Sequence, residues 1–292
     1  MKRGQSMIYT TTIQDVRDFV NDAKKQGKRV GFVPTMGFLH EGHASLIRRA
    51  RSENDFVIVS DFVNPTQFSP TEDLSNYPRN IENDKQICET AGCDLLFHPD
   101  VTEMYPEAST TFVSLTGPSE GLCGASRPTH FRGVCTVVAK LFLITGCERA
   151  YFGEKDAQQL AVIKRMVRDL NFPVEIVGCP IVREPDGLAM SSRNTYLSKE
   201  QRIAALILSQ SLNKAKQMIQ EGERNTTTIT NCITQTLASE PLARIDYVSI
   251  VSFPDIKPVE LLSNEILVAI AVYIGKTRLI DNFIWNEEET LC

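Results

Sequence analysis

The pattern of hydrophobic and polar positions alternates between short apolar runs and longer amphipathic stretches. Residues 30–33 and 56–59 are unbroken apolar runs of the length expected for buried strands. Between them, Leu46, Ile47 and Ala50 recur at helical spacing. This strand–helix–strand order predicts a parallel sheet covered by helices.

The rest of the first half continues the alternation. Thr12 suits a helix N-cap and Gly27 the stop of the same helix. A further helix is predicted around residues 81–91, ending at Gly92. Further strands are predicted near residues 94–97, 111–115, 149–152 and 174–177, with a helix after Asp156. The pattern favours an α/β domain over residues 1–182.

The character of the sequence changes after Val182. Ser198 and Gln201 form a capping-box pattern that predicts the start of a long helix ending near residue 219. A helix near residues 228–237 and strands near 246–251, 266–272 and 279–284 follow. Gly275 and Thr277 lie between the last two strands and predict a hairpin turn. We therefore predict a smaller α+β domain over residues 183–292.

The junction between the strand at 30–33 and the next helix carries two histidines. Pro34 and Gly37 force a turn, and His40 and His43 then stand three residues apart at the helix start. Backbone N–H groups and the helix dipole make such a junction a natural anion site. An exposed turn or half of a metal site are the alternatives, but a zinc site needs further ligands at matching spacing. The surrounding strand, loop and helix favour the anion site.

Two other segments carry polar groups suited to the same chemistry. Lys155 and Asp156 fall at the start of a predicted helix, where a lysine opposes the dipole unless an anion is bound. Ser191, Ser192 and Arg193 lie in a loop, a combination that suits phosphate. Gln67 follows the strand at 56–59, at the strand end where ligands gather in such sheets.

Three further features have both a functional and a non-functional interpretation. The glycine-rich loop at residues 117–133 is either functional or disordered. His130, which closes that loop, is best interpreted locally as a turn histidine. Asp84 is a candidate magnesium neighbour, but a solvated helix acid is the preferred interpretation.

Composition narrows the class of protein. The 292 residues are 42% hydrophobic and 23% charged, as in an ordinary globular protein. A formal charge of -5 argues against a general nucleic-acid binder. No apolar run reaches the roughly 18 to 20 residues of a membrane helix, and no apolar segment typical of a secretory signal follows the charged first six residues. The eight scattered cysteines indicate reduced thiols, mostly buried, in a cytoplasmic protein.

Six stretches together resemble the pantoate–β-alanine ligase (pantothenate synthetase) family, which belongs to the nucleotidyltransferases with an H-x-G-H motif. They are PTMGFLHEGH at 34–43, FVNPTQF at 62–68, YPR at 77–79, HFRGV at 130–134, FGEKDAQQ at 152–159 and MSSRN at 190–194. The resemblance spans nearly the whole chain. The chain departs from the family pattern at Asp61, where an apolar residue is commoner, and at Thr129, where glycine is frequent.

The resemblance implies a Rossmann-like domain with a smaller C-terminal domain, and a homodimer in the cytoplasm. It implies that ATP, with Mg²⁺, and (R)-pantoate give pantoyl adenylate and pyrophosphate. β-Alanine then attacks the acyl carbon and releases AMP, giving (R)-pantothenate. No nucleic-acid or membrane partner is implied.

The resemblance also assigns residues to roles. His43 matches the family's proton donor, and His40, Lys155 and Arg193 complete the predicted catalytic set. Gln67 and Gln159 match its pantoate-binding glutamines, and Gln67 also matches its β-alanine contact. The residues that match its ATP contacts are Met36, Gly37, Phe38, Leu39, His40, Glu41, Gly42, His43, Gly153, Glu154, Lys155, Asp156, Val182, Met190, Ser191, Ser192 and Arg193.

Three alternatives stay open on sequence alone. Another H-x-G-H adenylyltransferase shares the first motif but does not need residues 62–68 or 152–159 in this form. An aminoacyl-tRNA synthetase is disfavoured because the chain is short and acidic. A non-catalytic nucleotide sensor is expected to lose charged groups that His40, His43, Lys155 and Arg193 still supply.

Overall fold

The computed structural model describes residues 6–69, 72 and 74–287, and these fold into two compact units. The first unit runs from the first described residue to Leu115 and adds Arg127–Glu154 and Val162–Pro180. The second combines Thr116–Ser126, Lys155–Ala161 and the described chain from Ile181 onward. The domain boundary predicted between residues 182 and 183 stays a prediction.

The regular elements are as follows. The strands are β1 (Ile8–Thr10), β2 (Val30–Thr35), β3 (Phe56–Asp61), β4 (Leu95–Phe97), β5 (Arg149–Gly153), β6 (Glu175–Cys179), β7 (Ala243–Ser252), β8 (Glu265–Ile274) and β9 (Thr277–Asn286). The α-helices are α1 (Ile13–Lys25), α2 (Glu41–Glu53), α3 (Ile81–Ala91), α4 (Val101–Met104), α5 (Cys123–Ser126), α6 (His130–Thr145), α7 (Ala157–Asp169), α8 (Lys199–Ala204), α9 (Leu206–Gln220) and α10 (Thr226–Ala238). Short 3₁₀ turns lie at Pro65–Gln67, Leu74–Asn76, Glu154–Asp156 and Ser192–Tyr196.

The first unit is built on a six-stranded sheet in the order β1-β4-β3-β2-β5-β6, with all neighbours parallel. Its central strands are buried on both faces, which explains their unbroken apolar sequences. The α/β fold predicted from the hydrophobic pattern is confirmed. The three-residue edge strand β1 was not predicted, because it is too short to produce a periodic signal.

Local sequence explains where the helices of this unit begin and end. Thr12 caps α1 by accepting the N–H of Asp15 at 3.2 Å, as predicted. Gly92 ends α3 in the left-handed conformation, with φ of 95°. The strand predicted at residues 111–115 is wrong. Most of these residues are exposed, and the N–H of Val113 bonds to the Thr136 hydroxyl at 3.0 Å rather than to a neighbouring strand.

The second unit contains an antiparallel sheet in the order β7-β8-β9. Helices α9 and α10 cover it, and their apolar residues share one core with β8. Ser198 and Gln201 form the predicted capping box of α8. Gly275 has φ of 60° in the turn between β8 and β9, which confirms the predicted hairpin.

The cysteines of the described chain are free thiols, and six of these seven are buried. Cys232 is half-buried, and Cys292 lies outside the described residues. The described residues thus agree with the prediction of reduced, mostly buried cysteines.

Candidate active site

Three loops of the first unit lie at one edge of its parallel sheet. They follow the carboxyl ends of β2, β3 and β5, which are neighbours or next neighbours in the strand order. The loop after β2 holds residues 36–40, and the loop after β3 holds Gln67. Strand β5 ends at Gly153, and Glu154 follows directly. Ligands of parallel α/β sheets bind at this edge.

The two histidines form the amino-terminal cap of α2. The Nδ1 atom of His40 accepts the N–H of Gly42 at 3.1 Å, and the Nδ1 atom of His43 accepts the N–H of His40 at 3.3 Å. The two rings lie 4.1 Å apart between centroids. Because Nδ1 accepts in both rings, the neutral imidazoles carry their proton on Nε2. The capping bonds therefore orient two Nε2–H donors from the start of one helix.

The loop before the histidines adopts unusual backbone geometry. Gly37 has φ of 77° and Phe38 has φ of 51°, both in the left-handed region. A Cβ at residue 37 would fall 2.2 Å from the Oδ1 atom of Asp61, so only glycine fits there. A phenylalanine in the left-handed region costs on the order of 1 kcal/mol or more and needs compensating contacts.

Asp84 supplies those contacts, and the interpretation of Asp84 as a solvated helix acid is wrong. Its side chain is 1% exposed, and its Oδ2 and Oδ1 atoms accept the N–H groups of Phe38 at 2.8 Å and Leu39 at 2.7 Å. The buried face of α3 therefore reaches across to the loop. An (i, i+4) apolar stripe in the sequence does not reveal this, because the partner is more than forty residues away.

Asp84 also adjoins a second buried acid. Its carboxyl group hydrogen-bonds to the side chain of Asp61, which is 3% exposed at the end of β3. Burial, and then the nearby Asp61 charge, raise the pKa of Asp84 to about 6, against the opposing effect of the two N–H donors. His98 lies beside Asp61, with Nδ1 3.5 Å from Asp61 Oδ2, and the bond to Asp61 raises the pKa of His98.

Gln67 is held in place in the first unit by an amide network. Its Oε1 atom accepts from Asn64 Nδ2 at 3.1 Å, and its Nε2 atom donates to Met36 Sδ at 2.9 Å. Its backbone carbonyl accepts from His130 Nδ1 at 2.9 Å. His130 begins α6 rather than serving only as a turn histidine, so its preferred local interpretation missed this contact.

In the second unit, Lys155 lies in the 3₁₀ turn that precedes α7. Its side chain is 20% exposed, and Nζ is 3.8 Å from Asp156 Oδ2. Its backbone carbonyl accepts from Asn282 Nδ2 at 2.8 Å. The neighbouring carboxylate is too far from Nζ for a strong hydrogen bond, so it only weakly offsets the lysine charge at the helix start.

Gln158 and Gln159 follow on α7 in different environments. Gln158 is buried, and its Nε2 atom donates to the carbonyls of Pro118 and Gly121, at 3.0 and 2.6 Å. Its Oε1 atom accepts the N–H of Cys123 at 2.9 Å. Gln159, the predicted pantoate ligand, is half-buried. The first glutamine therefore orders part of the glycine-rich loop, and only the second keeps an accessible amide.

The segment that contains Val182 and residues 190–193 is a folded turn of the second unit. The N–H of Met190 donates to the Val182 carbonyl at 3.0 Å. Arg183 binds both carboxylate oxygens of buried Asp281, at 2.7 and 2.9 Å. Ser191 caps the next 3₁₀ turn by accepting the N–H of Arg193 at 3.3 Å. Ser192 is buried and Arg193 is half-buried.

The predicted site residues thus divide into two groups. The first unit brings together Met36, Gly37, Phe38, Leu39, His40, Glu41, Gly42, His43 and Gln67 with Gly153 and Glu154 at its sheet edge. The second unit carries Lys155, Asp156, Gln159, Val182, Met190, Ser191, Ser192 and Arg193. The functional assignment of these residues stays a prediction.

Within residues 6–69, 72 and 74–287, no group of three or more His, Cys, Asp or Glu side chains is arranged to hold a metal ion. No helix in the same part of the chain is long and apolar enough to cross a membrane.

A parallel α/β sheet with a helix N-terminus at its carboxyl edge is typical of nucleotide-binding proteins, and comparison with known proteins identifies the family. The model of the pantoate-beta-alanine ligase family matches residues 8–284. A pantothenate synthetase of Clostridium acetobutylicum is 60% identical over 94% of this chain and 98% of its own length. A pantothenate synthetase of Enterococcus faecalis is 58% identical over 96% of this chain and 99% of its own.

Comparison with solved structures points to the same family. A pantothenate synthetase from Thermus thermophilus superposes with a TM-score of 0.90 at 46% identity, covering 95% of this chain and 99% of that one. A pantoate-beta-alanine ligase from Francisella tularensis, complexed with beta-gamma ATP and beta-alanine, gives a TM-score of 0.78 at 39% identity, with coverage of 95% and 97%. The chain belongs to the pantoate-beta-alanine ligase family. It is an enzyme that forms pantothenate from pantoate and β-alanine with ATP.

Proposed function

We propose that this chain forms pantothenate through a pantoyl-adenylate intermediate, with the predicted residues in the roles that follow. In the first step a pantoate carboxylate oxygen attacks the α-phosphorus of ATP, and the bond to pyrophosphate breaks. In the second step the amine of β-alanine attacks the acyl carbon and AMP leaves. The histidine-capped start of α2 carries the proposal, because its capping bonds direct Nε2–H donors from both rings.

The first step needs positive charge and hydrogen-bond donors, because negative charge builds on the α-phosphate and on the leaving pyrophosphate. His40 and His43 donate through Nε2, and His43 gives its proton to the leaving group. Lys155 supplies a cation at the start of a helix, and Arg193 supplies a second. The hydroxyls of Ser191 and Ser192 complete the phosphate contacts.

The remaining predicted residues bind ATP mainly through the backbone or by shape. The backbone of Phe38 and Leu39 contacts the nucleotide, and Gly42, which has no side chain, allows ATP to approach the backbone closely. The other proposed ATP contacts are Met36, Gly37, Glu41, Gly153, Glu154, Asp156, Val182 and Met190.

Gln67 and Gln159 bind pantoate in this proposal. An amide both donates and accepts, which suits a substrate with two hydroxyls and a carboxylate. The Gln67 side chain is already oriented by Asn64 and Met36, so it loses little conformational freedom on binding. Gln67 also contacts β-alanine in the second step.

Magnesium enters as part of the substrate MgATP. Mg²⁺ in nucleotide sites is typically held by phosphate oxygens and one or two carboxylates rather than by an all-protein cage. Both oxygens of Asp84 accept backbone N–H groups, and the residue is 1% exposed, so this structure shows Asp84 supporting the loop. The metal would neutralise phosphate charge during pyrophosphate departure.

We further propose that the enzyme works in the cytoplasm as a homodimer. The free thiols of the described chain are consistent with a reducing compartment. Sedimentation equilibrium tests the assembly: a mass near twice 32.7 kDa supports a dimer, and a single-chain mass contradicts it.

Pyrophosphate release tests the proposed mechanism. The purified chain is incubated with MgATP and pantoate, with and without β-alanine. We expect a burst of pyrophosphate without β-alanine, limited to about one equivalent per site, and continuous release when β-alanine is added. Release that depends on phosphopantetheine or nicotinamide mononucleotide instead would indicate another adenylyltransferase. No release with any of these substrates would support a nucleotide sensor.

A further inference from the structure

The loop that precedes the two histidines is held from beneath by a buried carboxyl group. Asp84 on α3 accepts the N–H groups of two consecutive residues, Phe38 and Leu39, one on each oxygen. His40 follows immediately and caps α2. The position of Asp84 therefore fixes the peptide planes that lead directly into the first histidine.

The backbone geometry of this loop requires compensating contacts. Phe38 lies in the left-handed region at φ of 51°, which a residue with a side chain rarely adopts. Thr35 Oγ1 accepts the N–H of Gly37, at 3.2 Å. The Leu39 side chain packs into the core, which holds one end of the loop but not the orientation of the peptide planes before it.

Asp84 adjoins a second buried acid, Asp61, at the end of β3. Asp61 is 3% exposed, and its charge adds to burial in raising the pKa of Asp84. A Cβ at residue 37 would fall 2.2 Å from Asp61 Oδ1, so Asp61 packs directly against the same loop. His98, from the segment after β4, has Nδ1 3.5 Å from Asp61 Oδ2.

We propose that Asp84 is a positioning residue for adenylyl transfer, which acts through the Phe38 and Leu39 N–H groups on the placement of His40 and His43. It touches neither substrate nor reacting atoms. The inference rests on the proposed roles of the two histidines.

The first test compares two isosteric substitutions. In Asp84→Asn the amide has one acceptor oxygen for two N–H groups, so one of the two loses its partner. Asp94→Asn is the control: Asp94 also accepts a backbone N–H, that of Val57 at 2.7 Å, and pairs with Arg51 at 2.6 Å, but it lies before β4, away from the loop. Both variants are assayed for pyrophosphate release and for thermal stability.

We expect Asp84→Asn to lower kcat by about 10- to 100-fold, because an ångström-scale displacement of catalytic groups has effects of that size. The KM for pantoate should change less than threefold. Asp94→Asn should lower the melting temperature and keep kcat within threefold. An Asp84→Asn enzyme that loses stability but retains kcat within threefold would overturn the proposal.

The second test needs no activity, and its first part needs no variant. Amide hydrogen exchange of the wild-type protein is measured at Phe38 and Leu39 by nuclear magnetic resonance. We expect both amides to exchange at least 100-fold more slowly than in an unstructured peptide, and to lose that protection in Asp84→Asn. Unprotected amides in the wild type would overturn the proposal. If the wild type releases no pyrophosphate while the amides are protected, the proposed function fails and the positioning contact stands.

Discussion

The loop before α2 and the turn at residues 182–193 are both predicted to contact ATP, yet they are ordered by different chemistry. The first is held by Asp84, a buried acid whose pKa is raised to about 6 by burial and by the nearby Asp61 charge. The second is held by Arg183, whose guanidinium binds both oxygens of buried Asp281. One segment predicted to contact ATP is thus supported by a carboxyl group whose pKa is about 6, and the other by a bidentate ion pair.

The largest expected effect is a loss of rate when His43, in the helix after the first loop, is replaced. His43→Ala removes the proposed proton donor and should lower the rate of pyrophosphate release by about two to four orders of magnitude. Circular dichroism should show an intact fold, because the capping bond that His43 Nδ1 accepts is long, at 3.3 Å.

Ser45→Ala is the control for that change. Ser45 donates to the Gly42 carbonyl in the same helical turn, at 2.7 Å, but carries no titratable group. Its rate should stay within threefold of wild type. A His43→Ala enzyme with a near wild-type rate would remove His43 from the mechanism, and an unfolded one would make it structural.

The next largest expected effect is a loss of stability when the ion pair that holds residues 182–193 is broken. Arg183→Ala leaves Asp281 buried without its cation and should destabilise the second unit by about 3 kcal/mol. Calorimetric unfolding measures this. Arg165→Ala removes the cation of an exposed pair with Asp169 and should cost less than about 1 kcal/mol. Equal losses would show that the burial of Asp281 does not matter.

A pH experiment contrasts the two supports directly. The folded protein binds a proton at Asp84 more tightly than the unfolded chain does, with a pKa of about 6 against 3.8. Stability from this group is therefore full below about pH 4 and is lost as pH rises through about 6. The raised pKa of His98 acts in the same direction, since its contribution is present below about 6.5 and lost above its folded-state value.

Asp61→Asn should flatten this dependence. At pH 5 the variant loses the ion pair with His98 and should be less stable than wild type. At pH 8 it loses the repulsion between two buried carboxylates and should be more stable, by on the order of 1–3 kcal/mol. Melting temperatures of the two proteins plotted against pH should cross. Parallel curves would contradict the proposed repulsion between Asp61 and Asp84.

The smallest effect concerns Lys155. A lysine at a helix start costs a few tenths to about 1 kcal/mol, so Lys155→Ala should not lower the melting temperature of the protein without ligand. It should reduce the stabilisation by MgATP, because a ligand stabilises in proportion to its affinity for the folded state. Lys199→Ala, at the start of α8, is the control and should keep the full ATP-induced shift. A lower melting point of unliganded Lys155→Ala with an unchanged ATP shift would make Lys155 structural.

Much of the fold was predictable because its information is local. The strand, turn and helix around His40 and His43 follow from a four-residue apolar run, two turn residues and helical spacing, and all three elements are present. The capping box at Ser198 is local in the same way. The failed strand at residues 111–115 shows the limit of this signal, since an apolar run without a neighbouring strand to pair with forms no sheet.

The supports of the candidate site were not predictable, because each joins residues distant in sequence. Asp84 meets Phe38 and Leu39 across more than forty positions, and His130 meets the Gln67 carbonyl across sixty-three. The only sequence signal was Asp61, an acid inside an otherwise apolar strand end. A buried acid of this kind requires a partner, and that expectation could have led to Asp84.

The most direct test of the proposed intermediate follows the oxygen atoms of pantoate. Pantoate labelled with ¹⁸O in its carboxylate is converted with MgATP and β-alanine, and the products are separated and analysed by mass spectrometry. A pantoyl-adenylate intermediate transfers one carboxylate oxygen to the phosphorus, so AMP should carry one ¹⁸O atom per turnover. Label found only in pantothenate or pyrophosphate, with none in AMP, would contradict the proposed mechanism.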